Sequence, residues 1–261
     1  MRHTISRIVA PLLGICLWAG TANANCAILL HGLARTQASF ALMENALERE
    51  GYTIVRPGYP STKATISQLA DSTIPQAIAT CPKGRIDFVT HSMGGILVRD
   101  WLARHSLEGL GRVVMLGPPN QGSEVVDTLA GIYLFDQING PAGLQLGTGE
   151  KSLPLALPPV DYPVGVIAGN QSLNVYFSTL LPGSDDGKVS VQSTVVAGMR
   201  DHIILPVTHT FMMNNPRVIT ETLLFLETGK FDPSISWADA LLERLGCEGG
   251  ECLKGKRNRE R

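Results

Sequence analysis

The sequence lacks an excess of charge of either sign, and this argues against several classes of function. Its 22 lysine and arginine residues nearly balance 23 aspartate and glutamate residues, giving a formal net charge of −1. Such a chain gives no support for nucleic-acid binding, and the terminal KGKRNRER is typical of a solvated tail. With 44% hydrophobic residues among 261, the composition favours one compact domain over a repeat array or a disordered chain.

The sequence also lacks an apolar run long enough to span a membrane. Near its start, Arg2 and Arg7 precede IVAPLLGICLWAG and then the small residues TANA. This order predicts a secretory signal over residues 1–24, cleaved near Ala24, and hence a secreted or periplasmic protein. A lipoprotein attached through Cys26 is the less favoured alternative, because the residues before it make a poor lipid-attachment site.

Cysteine is scarce, and the positions of the cysteines favour disulfides over a metal site. Outside the predicted signal remain Cys26, Cys81, Cys247 and Cys252, an even set in an oxidising compartment. The segment CEGGEC closes a short loop whose glycines can turn the chain, which predicts Cys247–Cys252. Zinc is the rival interpretation, disfavoured because no second close Cys or His pair is present. No H-E-x-x-H motif or ligand-spaced His pair occurs either, so we expect no metal site and set a metallohydrolase aside.

Short apolar runs alternate with helix-like stretches over residues 25–230, which predicts a doubly wound α/β domain with a mostly parallel sheet of about six strands. The predicted strands are AILLH (27–31), YTIVRPGYP (52–60), RIDFVT (85–90), RVVMLG (112–117), VGVIAG (164–169) and HIILPV (202–207). Residues 124–163 interrupt the alternation with an apolar connection rich in Gly and Pro, interpreted as a lid-like insertion or, alternatively, a poorly packed excursion. Residues 231–261 are predicted to add a helix, the Cys loop and the basic tail.

Ser92 is the candidate nucleophile. It stands in FVTHSMGG, where the strand RIDFVT ends and a helix beginning at Met93 is predicted. A strand–turn–helix corner of this kind lifts a serine hydroxyl above the sheet and requires small neighbours. Gly94 and Gly95 meet that requirement, whereas Thr90 stands where the G-x-S-x-G pattern has its first glycine.

A serine needs a base and an acid that orients the base. His209 follows the last predicted strand, at the carboxyl end of the sheet where Ser92 also lies, whereas His202 begins that strand at the opposite end. Asp186 lies in the tight turn D-G-K-V and is the favoured acid, with Asp185 and then Asp201 as alternatives.

The oxyanion of an acyl-transfer intermediate needs backbone N–H donors. Met93 N–H follows the nucleophile at a helix N-terminus, and Leu33 N–H follows Gly32 in the loop after the first strand.

With these residues in place, the chain resembles the α/β-hydrolase superfamily, in particular bacterial triacylglycerol lipases and GPI-inositol deacylases. The resemblance runs from about Cys26 to Gly229 and rests on ILLHGL, THSMGG, LGPPNQGSE, DGKVSV and PVTHTFM. It implies a central parallel sheet lacking the first two strands of larger members, a Ser–Asp–His triad and ester hydrolysis without a cofactor. It also implies that AILLHG and RIDFVT are neighbouring strands, which supports a disulfide Cys26–Cys81.

The resulting hypothesis is a secreted, monomeric serine hydrolase that cleaves acyl or lipid esters through an acyl-enzyme and contacts a lipid interface transiently. An apolar acyl pocket is predicted from Phe40, Tyr133, Leu134 and Phe135, with Leu33 beside them. An acyltransferase with the same triad differs only in its acceptor and remains open. A non-catalytic binding member of the fold is the further alternative, although it would have no need to retain all three triad residues.

Overall fold

The computed structural model describes residues 25–131, 133–248 and 251–252, with residues 134–138, 243, 247–248 and 251–252 described by their backbone alone. The predicted signal and the basic tail lie outside the described residues.

A six-stranded sheet forms the centre of the molecule, and all its strands run parallel in the order β2-β1-β3-β4-β5-β6. The predicted α/β architecture is therefore confirmed. The strands are β1 (Cys26–Leu30), β2 (Thr53–Val55), β3 (Ile86–His91), β4 (Leu110–Leu116), β5 (Val164–Gly169) and β6 (Asp201–Leu205).

The continuous aliphatic runs reflect burial on both faces of this sheet. In β1 every residue is buried, with Ile28 and Leu30 in one core cluster and Ala27 and Leu29 in the other. This alternation follows from the two-residue period of a strand. Helices therefore cover both faces of the sheet.

The main covering helices are α1 (Ala41–Arg49), α2 (Ile66–Thr80), α3 (Met93–Leu102) and α8 (Pro216–Thr228), and α9 (Trp237–Arg244) contacts α8. Short 3₁₀ turns occupy Gln37–Phe40, Gln192–Thr194 and Met212–Asn214. None of the helices in the described ranges is long and apolar enough to cross a bilayer.

The connection 124–163 contains helices where the sequence showed no clear period. These are α4 (Glu124–Leu129), α5 (Tyr133–Leu144) and α6 (Leu153–Ala156), while α7 (Val175–Ser178) follows β5. Gly140 kinks α5 with a φ of 62°, a conformation that glycine adopts without steric cost. The segment is thus folded into short helices that join β4 to β5.

Cys26 and Cys81 form the predicted disulfide, with their Cα atoms 5.7 Å apart. It joins the start of β1 to the end of α2 across a sequence separation of 55 residues. A closed loop of that length stabilises the fold by about 4 kcal/mol in the chain-entropy account. Cys247 and Cys252 are backbone partners in a small antiparallel pair, β7 (Cys247–Glu248) with β8 (Glu251–Cys252). Their side chains lie outside the described part, so the second disulfide stays a prediction.

Candidate active site

Ser92 occupies the corner between β3 and α3 in a conformation that non-glycine residues rarely adopt. Its φ is 54° and its ψ −125°. Holding a non-glycine residue there costs about 1–3 kcal/mol, and such residues concentrate at functional sites. The backbone N–H of Ser92 donates to the carbonyl of Leu116 at 2.8 Å, which ties the corner to β4. The surrounding structure therefore fixes Ser92 in a strained turn that faces a cavity.

Gly94 and Gly95 allow α3 to approach the sheet closely at this corner. A Cβ atom added to Gly94 would overlap the carbonyl oxygen of Leu30 in β1. A Cβ added to Gly95 would lie 3.2 Å from Oγ1 of Thr90. Thr90, fully buried, therefore fits in place of the usual glycine because the helix residue opposite it has no side chain.

We expect Gly94→Ala to lower the free energy of unfolding by about 3 kcal/mol, because the new methyl group meets rigid backbone. Gly95→Ala is the matched control, since its methyl group meets the side chains of Thr90 and Met115, which can adjust. Urea denaturation of both variants measures the difference. Equal stability of the two variants would contradict this account of the close approach at Gly94.

Asp186 and His209 form a buried pair beside the cavity. Nδ1 of His209 and Oδ2 of Asp186 are 2.7 Å apart, and the carboxylate is fully buried. Oδ1 of Asp186 accepts hydrogen bonds from the backbone N–H groups of Lys188 (3.0 Å) and Val189 (2.9 Å). Because both carboxylate oxygens are occupied, the side chain is locked in the orientation that holds the imidazole.

The backbone of His209 is held from two sides. Its N–H donates to the carbonyl of Asp186 at 2.9 Å, and its carbonyl lies 2.9 Å from Nε2 of His91. Burial, followed by the charge of His209, holds the pKa of His91 well below its usual value. A neutral His91 can donate its Nε2–H to that carbonyl, and this is a positioning role that the sequence did not indicate.

Gly117 supplies space for the Asp–His pair. A Cβ atom there would lie 2.9 Å from Oδ2 of Asp186 and 3.2 Å from Nδ1 of His209. Its φ of 53° also favours glycine.

The alternative acids and the alternative base have other partners. Oδ1 of Asp185 accepts from Ser178 Oγ and from Gly187 N–H, so Asp185 supports the turn. Asp201 accepts backbone N–H groups at the start of β6, from His202 and Phe231. Nε2 of His202 lies 2.9 Å from the hydroxyl of Thr194. Among the predicted candidates, the structure thus brings Asp186 and His209 together beside the cavity that Ser92 also lines.

The loop after β1 lies against the Ser92 corner. A Cβ added to Gly32 would be 3.0 Å from Cβ of Ser92, so only glycine gives this approach. Tyr59 stacks on His31 with ring centroids 3.9 Å apart, and its hydroxyl donates to the His31 carbonyl. These contacts hold the loop that carries Leu33, which lines the same cavity as Ser92.

Met93, the other predicted oxyanion donor, is the first residue of α3. The first N–H groups of a helix have no acceptor within that helix, and the helix dipole favours negative charge there.

A cavity of about 290 Å³ is bordered by Leu33, Ser92 and His209. Its lining is mainly apolar and comes from the loops and helices above the sheet. The apolar lining residues are Leu33, Ala34, Pro119, Val125, Val126, Leu129, Leu146, Phe177 and Val189.

Of the residues predicted for an acyl pocket, Leu33 lines this cavity, whereas Phe40 and Tyr133 do not. Phe40 is fully buried in the core between the sheet and α1, and Tyr133 is 77% exposed and does not border the cavity. The side chains of Leu134 and Phe135 lie outside the described residues. The buried position of Phe40 contradicts its predicted place in a pocket, because hydrophobicity alone does not indicate which face of an element a side chain occupies. The substrate-binding role of Tyr133 stays a prediction.

Two cationic side chains that the sequence interpretation passed over also border the cavity, namely Arg35 and Lys188. Each belongs to a segment that the sequence did reveal, Arg35 to HGLAR and Lys188 to DGK.

The sequence matches no protein-family model and no curated protein. The fold is nevertheless similar to that of solved structures. The mature lipase of Bacillus licheniformis aligns over 78% of this chain and 93% of its own, with 19% identity and a TM-score of 0.59. A metagenomic carboxyl esterase aligns over 73% of this chain and 65% of its own, with 20% identity and a TM-score of 0.59. Lipase B of Aspergillus fumigatus aligns over 85% of this chain and 57% of its own, with 13% identity and a TM-score of 0.60. At identities this low, the structural similarity establishes a shared fold and nothing more specific.

Proposed function

We propose that this chain, which has the α/β-hydrolase fold, is a serine hydrolase that cleaves carboxylic esters of acyl chains. The observation that carries the proposal is the strained Ser92 on the same cavity as a His209 whose Nδ1 lies 2.7 Å from the buried Asp186. The lipase and esterase names of the structural neighbours support ester hydrolysis in general. The mainly apolar lining supports an acyl chain as the part of the substrate that is buried.

In the proposed reaction, Oγ of Ser92 attacks the ester carbonyl carbon while Nε2 of His209 takes the hydroxyl proton. Asp186 orients the imidazole and stabilises its charged form. The N–H groups of Leu33 and Met93 donate to the developing oxyanion. The carbon–oxygen bond then breaks, His209 returns the proton to the leaving alcohol, and an acyl-enzyme remains. Water, deprotonated by His209, releases the carboxylic acid and restores Ser92.

We further propose that the protein acts after export. The Cys26–Cys81 disulfide supports an oxidising compartment, consistent with the signal expected over residues 1–24.

An acyl-enzyme of this kind also serves acyl transfer to an alcohol. Product analysis with an added alcohol distinguishes hydrolysis from acyl transfer.

The test combines turnover with labelling. The protein without residues 1–24 is assayed on p-nitrophenyl esters from acetate to palmitate, and it is treated with a fluorophosphonate that reacts with activated serines. We expect hydrolysis with a chain-length optimum, and peptide mapping should place the phosphonate on Ser92. Absence of both hydrolysis and labelling would overturn the proposal and favour a non-catalytic member of the fold. Labelling at a different serine would remove Ser92 from the nucleophile role.

A further inference from the structure

Arg35 and Lys188 place two cationic groups on the wall of the cavity that contains Ser92 and His209. Lys188 is exposed and Arg35 is half-buried, so solvent reaches both side chains. Partial burial near the cavity, followed by the charge of Arg35, lowers the pKa of Lys188, and the charge of Asp186 opposes this shift. Both charges also act on His91, the residue next to Ser92. The two cations therefore repel one another close to the reacting groups.

Within the described ranges, neither cation forms a salt bridge with a carboxylate. Arg35 reaches the carbonyl of Thr210 at 3.4 Å, which is a neutral acceptor. Asp186 attracts Lys188, but both of its oxygens are already hydrogen-bonded to His209 and to backbone N–H groups. Water reaches both groups, since Lys188 is exposed and Arg35 is half-buried, and Asp186 offsets only part of the positive charge. A ligand that supplies negative charge would relieve the repulsion between the two cations and gain charge-assisted hydrogen bonds from both.

The cavity therefore presents two different surfaces to a ligand. One is apolar and built largely from Val125, Val126, Leu129 and Leu146, while the other is cationic. A neutral acyl ester would use the first and leave the second unpartnered. A ligand with an acyl chain and an anionic group would match both.

We infer that the natural substrate is an acyl ester that carries an anionic group, a phosphate or a carboxylate, close to the scissile bond. The acyl chain lies along the apolar wall, and Arg35 and Lys188 bind the anion. This inference rests on the proposed ester hydrolysis and names the substrate class of that same site.

The first arm of the test compares two chromogenic esters that differ by one charge. These are ortho-nitrophenyl octanoate and the same ester with a carboxylate on the nitrophenol ring. We expect wild type to favour the anionic ester by about tenfold in kcat/KM, and Arg35→Gln and Lys188→Gln each to remove most of that preference. Added salt should lower it as well. The measured quantity is the ratio of the two efficiencies, so a general loss of activity does not mimic the effect.

Arg49→Gln is the matched control, because Arg49 is exposed at the end of α1 and does not border the cavity. It should leave the ratio unchanged. A wild-type ratio near one, or a preference that persists in both cavity variants, overturns the inference.

The second arm needs no catalysis. Calorimetry measures the binding of decyl phosphate, decanoate and decanol to the Ser92→Ala protein, and the same Gln substitutions are then added. We expect either anion to bind more tightly than decanol, and we expect substitution at Arg35 or Lys188 to remove this difference. That result upholds the anion site even if neither ester is cleaved. The relative affinities of decyl phosphate and decanoate distinguish phosphate from carboxylate. Equal binding of all three amphiphiles overturns it. Failure of ester cleavage alone counts against the proposed function and not against the anion site.

Discussion

Replacing Ser92 by alanine is expected to lower kcat for ester hydrolysis by about 10⁵-fold or more, while the protein remains folded. Alanine removes the Oγ atom that attacks the carbonyl, and the oxyanion donors alone leave a small residual rate. Turnover of the preferred p-nitrophenyl ester measures the loss. Ser72→Ala is the matched control, since the Ser72 hydroxyl donates to the Leu69 carbonyl within α2, and it should retain the wild-type rate.

The strained backbone gives this prediction a second readout. Alanine keeps the cost of a φ of 54° at position 92, whereas glycine adopts that conformation freely. We therefore expect Ser92→Gly to be as inactive as Ser92→Ala but more stable than it by about 1 kcal/mol in urea denaturation. If Ser92→Ala kept more than about one hundredth of the wild-type rate, Ser92 would not be the nucleophile.

The sheet and the positions of the three candidate residues could be predicted because they follow from simple chain-order rules. Continuous aliphatic runs separated by helical stretches predict parallel strands, and residues that follow such strands meet at the carboxyl edge. Ser92 directly follows β3, and His209 lies in the loop four residues after the end of β6, so both are placed at the carboxyl edge of the sheet. The exact acid could not be fixed in this way, because Asp185 and Asp186 are adjacent and both belong to one turn.

The cavity could not be predicted because its walls depend on tertiary packing. Phe40 ends the 3₁₀ turn just before α1 and packs into the core, and nothing in its spacing distinguishes a core-facing position from a pocket. The actual lining combines α4, Asn139 of α5, Leu146 just after α5, the loop after β1 and the turn with Lys188. Several of these segments are far apart in sequence. Likewise, the support that His91 gives to His209 joins residues 118 positions apart.

Replacing Asp186 by asparagine is expected to lower kcat by about 10⁴-fold with little change in stability. The amide oxygen can replace Oδ1 and still accept from the N–H groups of Lys188 and Val189. The amide nitrogen would then face Nδ1 of His209, and as a donor it would require Nδ1 to accept. The proton of the neutral imidazole would move to Nε2, which could no longer take the proton of Ser92.

Asp185→Asn provides the matched control for this prediction, because it makes the same chemical change one residue earlier in the same turn. Its oxygen can still accept from Ser178 and Gly187, so we expect kcat to stay within about threefold of wild type. Steady-state kinetics of both variants on one ester, with urea denaturation to confirm folding, decides between the two carboxylates. A larger loss in Asp185→Asn than in Asp186→Asn would transfer the orienting role to Asp185. The reverse order would show that the 2.7 Å contact to His209 determines which acid the reaction uses.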